Sequence, residues 1–247
     1  MNNDSVFFVM PAYNEAANIE ETIRQWYPVV EHCNAICGNS RLVIANDGSK
    51  DNTFAIMQKL KDSFPLLDPI DKTNSGHGAT LLMLYNYAIK NGATYVFQTD
   101  SDGQTSPEEF WQMFDNKEKY DFQIGSRQSR EDGFARICVT KILRLVVWLI
   151  FHVWVVDANT PFRLMNSQKL SDILKVIPQD FFLSNVAISA IATKWNYNIG
   201  WYKITFRPRQ GGVNSINLRR IIKIGWKALG EFRDINNKVK YGISLHE

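Results

Sequence analysis

From residue 6 to residue 107 the chain repeats one pattern: a short apolar run, a polar turn, then a helical stretch. Val6–Met10 runs into Pro11-Ala12-Tyr13-Asn14-Glu15 and a helix predicted over 16–33. Leu42–Ala45 runs into Asn46-Asp47-Gly48-Ser49 and another helix. A third crossover passes through Asn74-Ser75-Gly76-His77-Gly78-Ala79-Thr80 into a helix ending near Asn91-Gly92, and a fourth strand begins beside Thr94. Strands alternating with helices of this length imply right-handed crossovers and a parallel sheet. The expected fold is α/β: a mostly parallel sheet flanked by helices. All four turns then lie along the carboxyl edge, where ligands bind in open sheets. That edge collects Glu15, Asp47, His77, Asp100 and Asp102. The first turn lacks the Gly-x-Gly-x-x-Gly of a dinucleotide fold.

The fourth turn carries the strongest chemical signal. Val96–Thr99 has the β-branched and aromatic composition of a buried strand, and it ends at Asp100-Ser101-Asp102-Gly103-Gln104. Carboxylates two residues apart emerge on one side, and Gln104 adds an amide oxygen within reach of the same point. Two carboxylates and an amide oxygen suit a hard divalent cation, Mg²⁺ or Mn²⁺, whose shell substrate phosphates complete. Ser106-Pro107-Glu108-Glu109 then predicts a helix start with a capping serine.

Net charge is +3, but from Lys203 onward the chain holds ten lysines and arginines against Glu231, Asp234 and Glu247. Such a tail points to phosphates, in a substrate or a membrane surface, rather than to nucleic acid. Cys33, Cys37 and Cys138 are an odd number and read as buried free thiols. Residues 1–5 carry neither a basic n-region nor an apolar h-region, so a cytosolic protein is expected.

Pro11-Ala12-Tyr13-Asn14-Glu15, Asp47-Gly48-Ser49-x-Asp51-x-Thr53, Asn74-x-Gly76-His77-Gly78 and Asp100-Ser101-Asp102-Gly103-Gln104 together resemble family 2 glycosyltransferases of the GT-A fold. The resemblance continues through Gly125-Ser126-Arg127, Asp157-x-x-Thr160-Pro161-Phe162-Arg163 and Arg207-x-Arg209-x-x-Gly212, and is strongest to the branch that transfers sugars to polyprenyl phosphates. It implies that Pro11, Tyr13 and Glu15 line the nucleotide pocket with Asn46, Asp47 and His77 beside them. Asp100, Asp102 and Gln104 would hold the metal, and Arg127 and Arg209 would face phosphates, with Arg163 also suited to them. The implied donor is a nucleoside diphosphate sugar, UDP- or GDP-linked, since Asn46 stands where the family often has aspartate. His77 reads as a loop residue whose Gly76-x-Gly78 turn meets phosphate through backbone N–H groups.

The acceptor is read from an absence. Phe181-Phe182-Leu183-Ser184-Asn185 has no carboxylate where many relatives carry a base; Asp157 is the nearest alternative. The expectation is therefore inverting transfer onto a polyprenyl phosphate. A sugar-hydroxyl acceptor, or a catalytically silent binding protein, are the alternatives. Gln128–Phe134 reads as a lid over the donor. Ile137–Val156 is the most apolar stretch but too short to span a bilayer, which takes about 20 apolar residues. It is either a core or dimer helix, the latter making a homo-oligomer, or an interfacial helix on the cytosolic face of a membrane. Residues 1–216 are expected to form the catalytic domain, with 1–127 its nucleotide half and 128–216 its acceptor half. Residues 217–247 extend it, with a basic amphipathic helix at Leu218–Phe232.

Overall fold

The first apolar run, Val6–Ala12 (β1), is buried at every residue, as a strand covered by helices on both faces must be. It belongs to a computed structural model that describes residues 4–127, 134–207 and 229–240. Arg41–Asp47 (β2) pairs parallel with one side of β1, and Leu67–Lys72 (β3) pairs parallel with β2. Tyr95–Thr99 (β4) pairs parallel with the other side of β1. Ile19–Cys37 (α1), Thr53–Lys61 (α2) and His77–Lys90 (α3) make the crossovers. The sequence reading assigns no bounds to β3, whose Asp68, Pro69 and Asp71 blur a strand pattern. As an edge strand β3 tolerates proline.

Beyond β4 a 3₁₀ turn, Pro107–Phe110, leads into the short helix Trp111–Phe114 (α4). Ser106 does not cap it; its hydroxyl instead binds the Glu108 carboxylate. Phe122–Arg127 (β5), Phe134–Phe151 (α5), Phe162–Asn166 (β6), Ser167–Leu174 (α6), Ser184–Lys194 (α7) and Ile199–Ile204 (β7) follow. Among the described residues the sheet has seven strands in the order β3-β2-β1-β4-β6-β5-β7. Only β6 runs antiparallel to its neighbours, slotting between β4 and β5. Its pattern is hidden in the sequence by Pro161 and by Arg163 in the middle of the run.

Alternating residues of β4 serve two cores. Phe97 packs with Phe8, Phe110 and Phe162 at ring-centroid distances of 5.4, 4.9 and 4.9 Å, under α1 and α4. Val96 faces the other way, toward α3 and α7. Each such buried side chain contributes about 1.5–3 kcal/mol. Cys33, on α1, is a buried free thiol with its pKa pushed up to about 12, chiefly by burial.

α5 has two faces. Val147, Ile150 and Phe151 are buried, whereas Ile142, Leu145, Trp148 and Leu149 are 49–57% exposed. Residues 229–240 are helical (α8) and include the end of the expected Leu218–Phe232 helix, whose residues 218–228 lie outside the described residues. α8 buries Phe232, Ile235 and Val239; Phe232 meets Phe151 and Phe181 edge-on, and Asn236 Nδ2 donates to Ile150 O at 2.8 Å. Residues 128–133, most of the stretch expected as a lid, and residues 208–228, with Arg209, lie outside the described residues, as does the Arg127 side chain.

Candidate active site

The turns at the carboxyl ends of β1, β2 and β4 and the strap between β3 and α3 converge on a cleft of about 390 Å³. Pro11, Ala12, Tyr13 and Glu15 line it from the first turn, Asp47 from the second, Asn74, Gly76 and His77 from the strap and the start of α3, and Asp100, Ser101 and Asp102 from the turn after β4. The turns are tied to each other before any ligand arrives. Asn14 N–H donates to Ser49 Oγ at 2.9 Å, Glu15 N–H to Thr53 Oγ1 at 2.9 Å, and Ala16 N–H to Asp51 Oδ2 at 3.1 Å. Asn14 adopts φ +55°, a left-handed conformation that asparagine tolerates, and its Oδ1 accepts from Lys50 N–H. Ser49, Asp51 and Thr53 therefore fasten the first turn to the second. The acidic turn is anchored in turn: Ser101 Oγ donates to Pro11 O at 2.8 Å and Thr22 Oγ1 to Ser101 O at 3.1 Å.

Asp47 organises the strap between β3 and α3. Its carboxylate accepts from Lys72 Nζ at 2.5 Å, Ser75 N–H at 2.8 Å and Gly76 N–H at 2.9 Å. Lys72 also donates to Thr73 O, Ser75 Oγ and Thr80 Oγ1. Burial works against ionisation of Asp47, but Lys72, the Ser75 N–H and the Thr80 side chain hold its carboxyl below the usual range. The expected phosphate nest at Gly76-x-Gly78 is thus otherwise engaged at residues 75 and 76, whose N–H groups close on Asp47. Gly48, at φ +65°, lets the strap approach: a Cβ there would lie 2.7 Å from Asn74 N. Gly78 serves packing, since a Cβ would come within 2.5 Å of the carbonyl oxygens of Phe181 and Phe182. That contact brings the Phe181–Asn185 segment against the first turn of α3, beside His77. Lys72 is the residue sequence reading missed. Its signal was register, because it pairs directly with Asp47 across β2 and β3.

Asn46 is buried, with Nδ2 donating to Asp71 Oδ1 at 2.7 Å, so it shapes the strand ends behind the cleft. The half-exposed His77 ring lies 3.2 Å from Asp100 Oδ1 through Nε2. Burial opposes its protonation, yet the hydrogen bond to Asp100 and the charges of Asp100, Asp47 and Asp102 raise its pKa.

Three expected site residues lie elsewhere. Gln104 does not line the cleft: its Nε2 donates to Arg207 O at 2.8 Å. Arg163 is fully buried, donating to Thr160 O at 2.7 Å, Ala158 O at 2.7 Å, Asn185 O at 3.1 Å and Ser189 Oγ at 2.8 Å. It braces β6 against α7 and does not face a phosphate, because β6 is an interior strand whose residue 163 points into the α3–α7 core. Asp157 is buried next to this brace and is not among the residues that line the cleft.

Asp100 and Asp102 share one cleft wall with partly exposed carboxylates, a hard oxygen donor set that fits a Mg²⁺- or Mn²⁺-sized ion with ligand oxygens completing the shell. Among the described residues no three His, Cys, Asp or Glu side chains form a complete metal-ligating group.

The model of the family described as "Glycosyl transferase family 2" matches residues 7–141, more than half of the chain. The chain belongs to that family. The glycosyltransferase is 24% identical to the polyprenol monophosphomannose synthase of Mycolicibacterium smegmatis over 85% of this chain and 80% of that protein. It is 24% identical to the UDP-N-acetylglucosamine–dolichyl-phosphate N-acetylglucosaminyltransferase of Methanococcus voltae, over 81% of this chain and 84% of that one. Glucosyl-3-phosphoglycerate synthase of Mycobacterium tuberculosis, solved with Mn²⁺, UDP and glucosyl-3-phosphoglycerate, superimposes with a TM-score of 0.69 at 15% identity, covering 95% of this chain and 80% of that one. This likeness fixes the fold as GT-A. Among the described residues of the glycosyltransferase no helix is long and apolar enough to cross a membrane.

Proposed function

We propose that this glycosyltransferase moves a sugar, with inversion, from a UDP- or GDP-linked donor to a polyprenyl phosphate at the cytosolic face of a membrane. The observation that carries the reading is the joint placement of Asp100 and Asp102 on the cleft that Pro11, Tyr13, Glu15 and Asp47 also line. The nucleotide lies against Pro11 and Tyr13, and Asp100 and Asp102 would hold a divalent ion beside it. When bound, such an ion would supply positive charge to a departing nucleoside diphosphate. The family resemblance assigns Arg127 and Arg209 to the same phosphates, where a guanidinium fork matches phosphate oxygens. Residues 1–127 form the donor half and 128–216 the acceptor half, with 217–247 an extension.

The acceptor follows from proton chemistry. A sugar hydroxyl loses its proton as it attacks and needs a positioned base. A phosphomonoester has its second pKa near about 6 and arrives mostly as a dianion, needing none. Of the cleft carboxylates among the described residues, Asp47 is held by Lys72, and Asp100 and Asp102 are assigned to the ion; Glu15 sits on the nucleotide side. Asp157 is buried and does not line the cleft, and the Phe181–Asn185 segment adds no carboxylate. Two relatives named for polyprenol and dolichyl-phosphate products or acceptors support the same class.

The test is transfer from UDP- and GDP-sugars to a short-chain polyprenyl phosphate, beside the free alcohol and a panel of oligosaccharides. Transfer to the lipid phosphate, surviving in Asp157→Asn, is expected. Transfer only to an oligosaccharide hydroxyl, abolished by Asp157→Asn, overturns the acceptor assignment.

A further inference from the structure

Gln104 and Arg207 belong to motifs that the site has not absorbed, and they meet each other. β7 lies at the sheet edge, three strands from β4, so sheet pairing does not bring their ends together. The turn after the acidic pair reaches across that distance. Arg207 N–H donates to Gln104 O at 2.8 Å, and Gln104 Nε2 donates back to Arg207 O at 2.8 Å. Two further bonds close the seam: Arg207 Nη2 to Ser106 Oγ at 3.2 Å, and Thr205 N–H to Glu109 Oε1 at 2.8 Å. A carbonyl oxygen only accepts, so the amide's NH₂ end must be the one facing Arg207. On its other side, Gln104 N–H donates to Asp102 Oδ1 at 3.2 Å. One residue thus joins the segment leaving β7 to a carboxylate of the cleft.

We propose that Gln104 is a positioning residue: its carboxamide latches the acidic turn to the chain leaving β7 and so fixes the peptide N–H that orients Asp102. This rests on the glycosyltransferase reading of Asp102, and it assigns Gln104 by what its NH₂ group does rather than by an oxygen offered to an ion. The two roles respond oppositely to Gln104→Glu. A ligand becomes a stronger ligand when it gains charge. A latch fails, because a carboxylate cannot donate to Arg207 O and is repelled by it. Gln104→Met, of similar length, removes both capacities.

The first measurement is hydrogen exchange at the Thr205 and Arg207 amides in the full chain, which requires neither donor nor ion. Both variants are expected to lose about tenfold in protection there, the usual effect of one such hydrogen bond, with an unchanged circular dichroism spectrum. The second is Mn²⁺ affinity by electron paramagnetic resonance in the presence of UDP and, in parallel, GDP. Both variants are expected to weaken it to the same extent, about fivefold. Unchanged exchange at residues 205 and 207 in both variants overturns the latch. So does a Gln104→Glu protein that binds Mn²⁺ at least as tightly as wild type while Gln104→Met does not. A wild-type protein that binds no Mn²⁺ with either nucleotide would count against the donor-site reading, while the exchange data still decide the latch.

Discussion

The two ends of the sheet solve different problems. From β3 to β4 the strands are all parallel, and their turns are polar, close together and tied by side-chain bonds. The cleft there exists before substrate binds, which is what electrostatic stabilisation of a developing charge requires. From β6 to β7 the strand directions are mixed, and the ordering comes from burial: Arg163 braced in the core, α8 packed on α5, Gly78 seated on the Phe181–Phe182 backbone. The outer face of α5 is left apolar and exposed. One end is built to hold charge, the other to present an apolar surface beside it.

The contrast is tested most severely at Arg163. If it belongs to the packed end, Arg163→Ala leaves the carbonyls of Ala158, Thr160 and Asn185 without their donor and should cost about 4 kcal/mol in chemical denaturation. Arg163→Lys should rescue little, since an ammonium cannot reproduce the planar fork. A variant of unchanged stability that has lost use of phosphate substrates would return Arg163 to the polar end. Asp102→Asn is the converse: shape kept, charge removed, about 100-fold lower turnover and an intact fold. Wild-type-like transfer by this variant, or full activity in excess chelator, defeats its assignment.

The same division governs what could be read from the chain. The parallel strands, their crossovers and the cleft residues Glu15, Asp47, His77, Asp100 and Asp102 were legible because each lies next to a turn whose composition announces it. β6 was not, since an antiparallel strand entering through Pro161 and carrying a buried arginine has no local pattern. Lys72 escaped for a related reason, its partner being set by register between strands 25 residues apart. Gln104 was placed at the right turn, but local spacing cannot show that its amide points toward β7.

Lys72→Met sharpens the polar end. It strips a nearly buried carboxylate of its ammonium partner, and a loss of about 3 kcal/mol is expected. The pH dependence has a definite sign. Asp47 is held below its usual pKa in the folded protein, so its stabilisation is complete above the unfolded value and fades as pH falls through the folded one. Acid unfolding below about pH 4 should therefore be shallower in Lys72→Met than in wild type. Equal acid limbs would mean that the Asp47–Lys72 pair contributes nothing to the fold.

The smallest effect falls on the apolar face. Trp148 and Leu149 are 49% and 53% exposed, so Trp148→Glu and Leu149→Glu should change stability by less than about 0.5 kcal/mol. If that face lies on a bilayer, each change removes an inserted apolar side chain worth roughly 1.5–3 kcal/mol, and flotation with anionic vesicles should weaken about tenfold. Arg233, Lys238 and Lys240 are exposed on α8, the helix packed against α5, and lysines and arginines near an anionic surface add about 1 kcal/mol each. Raising the salt should therefore weaken flotation as well, and the double variant should lose it at low salt. Vesicle binding that survives both glutamates places the membrane contact elsewhere. A wild-type protein that does not float, yet sediments as a dimer that the same glutamates dissociate, assigns the face to a second copy of the chain.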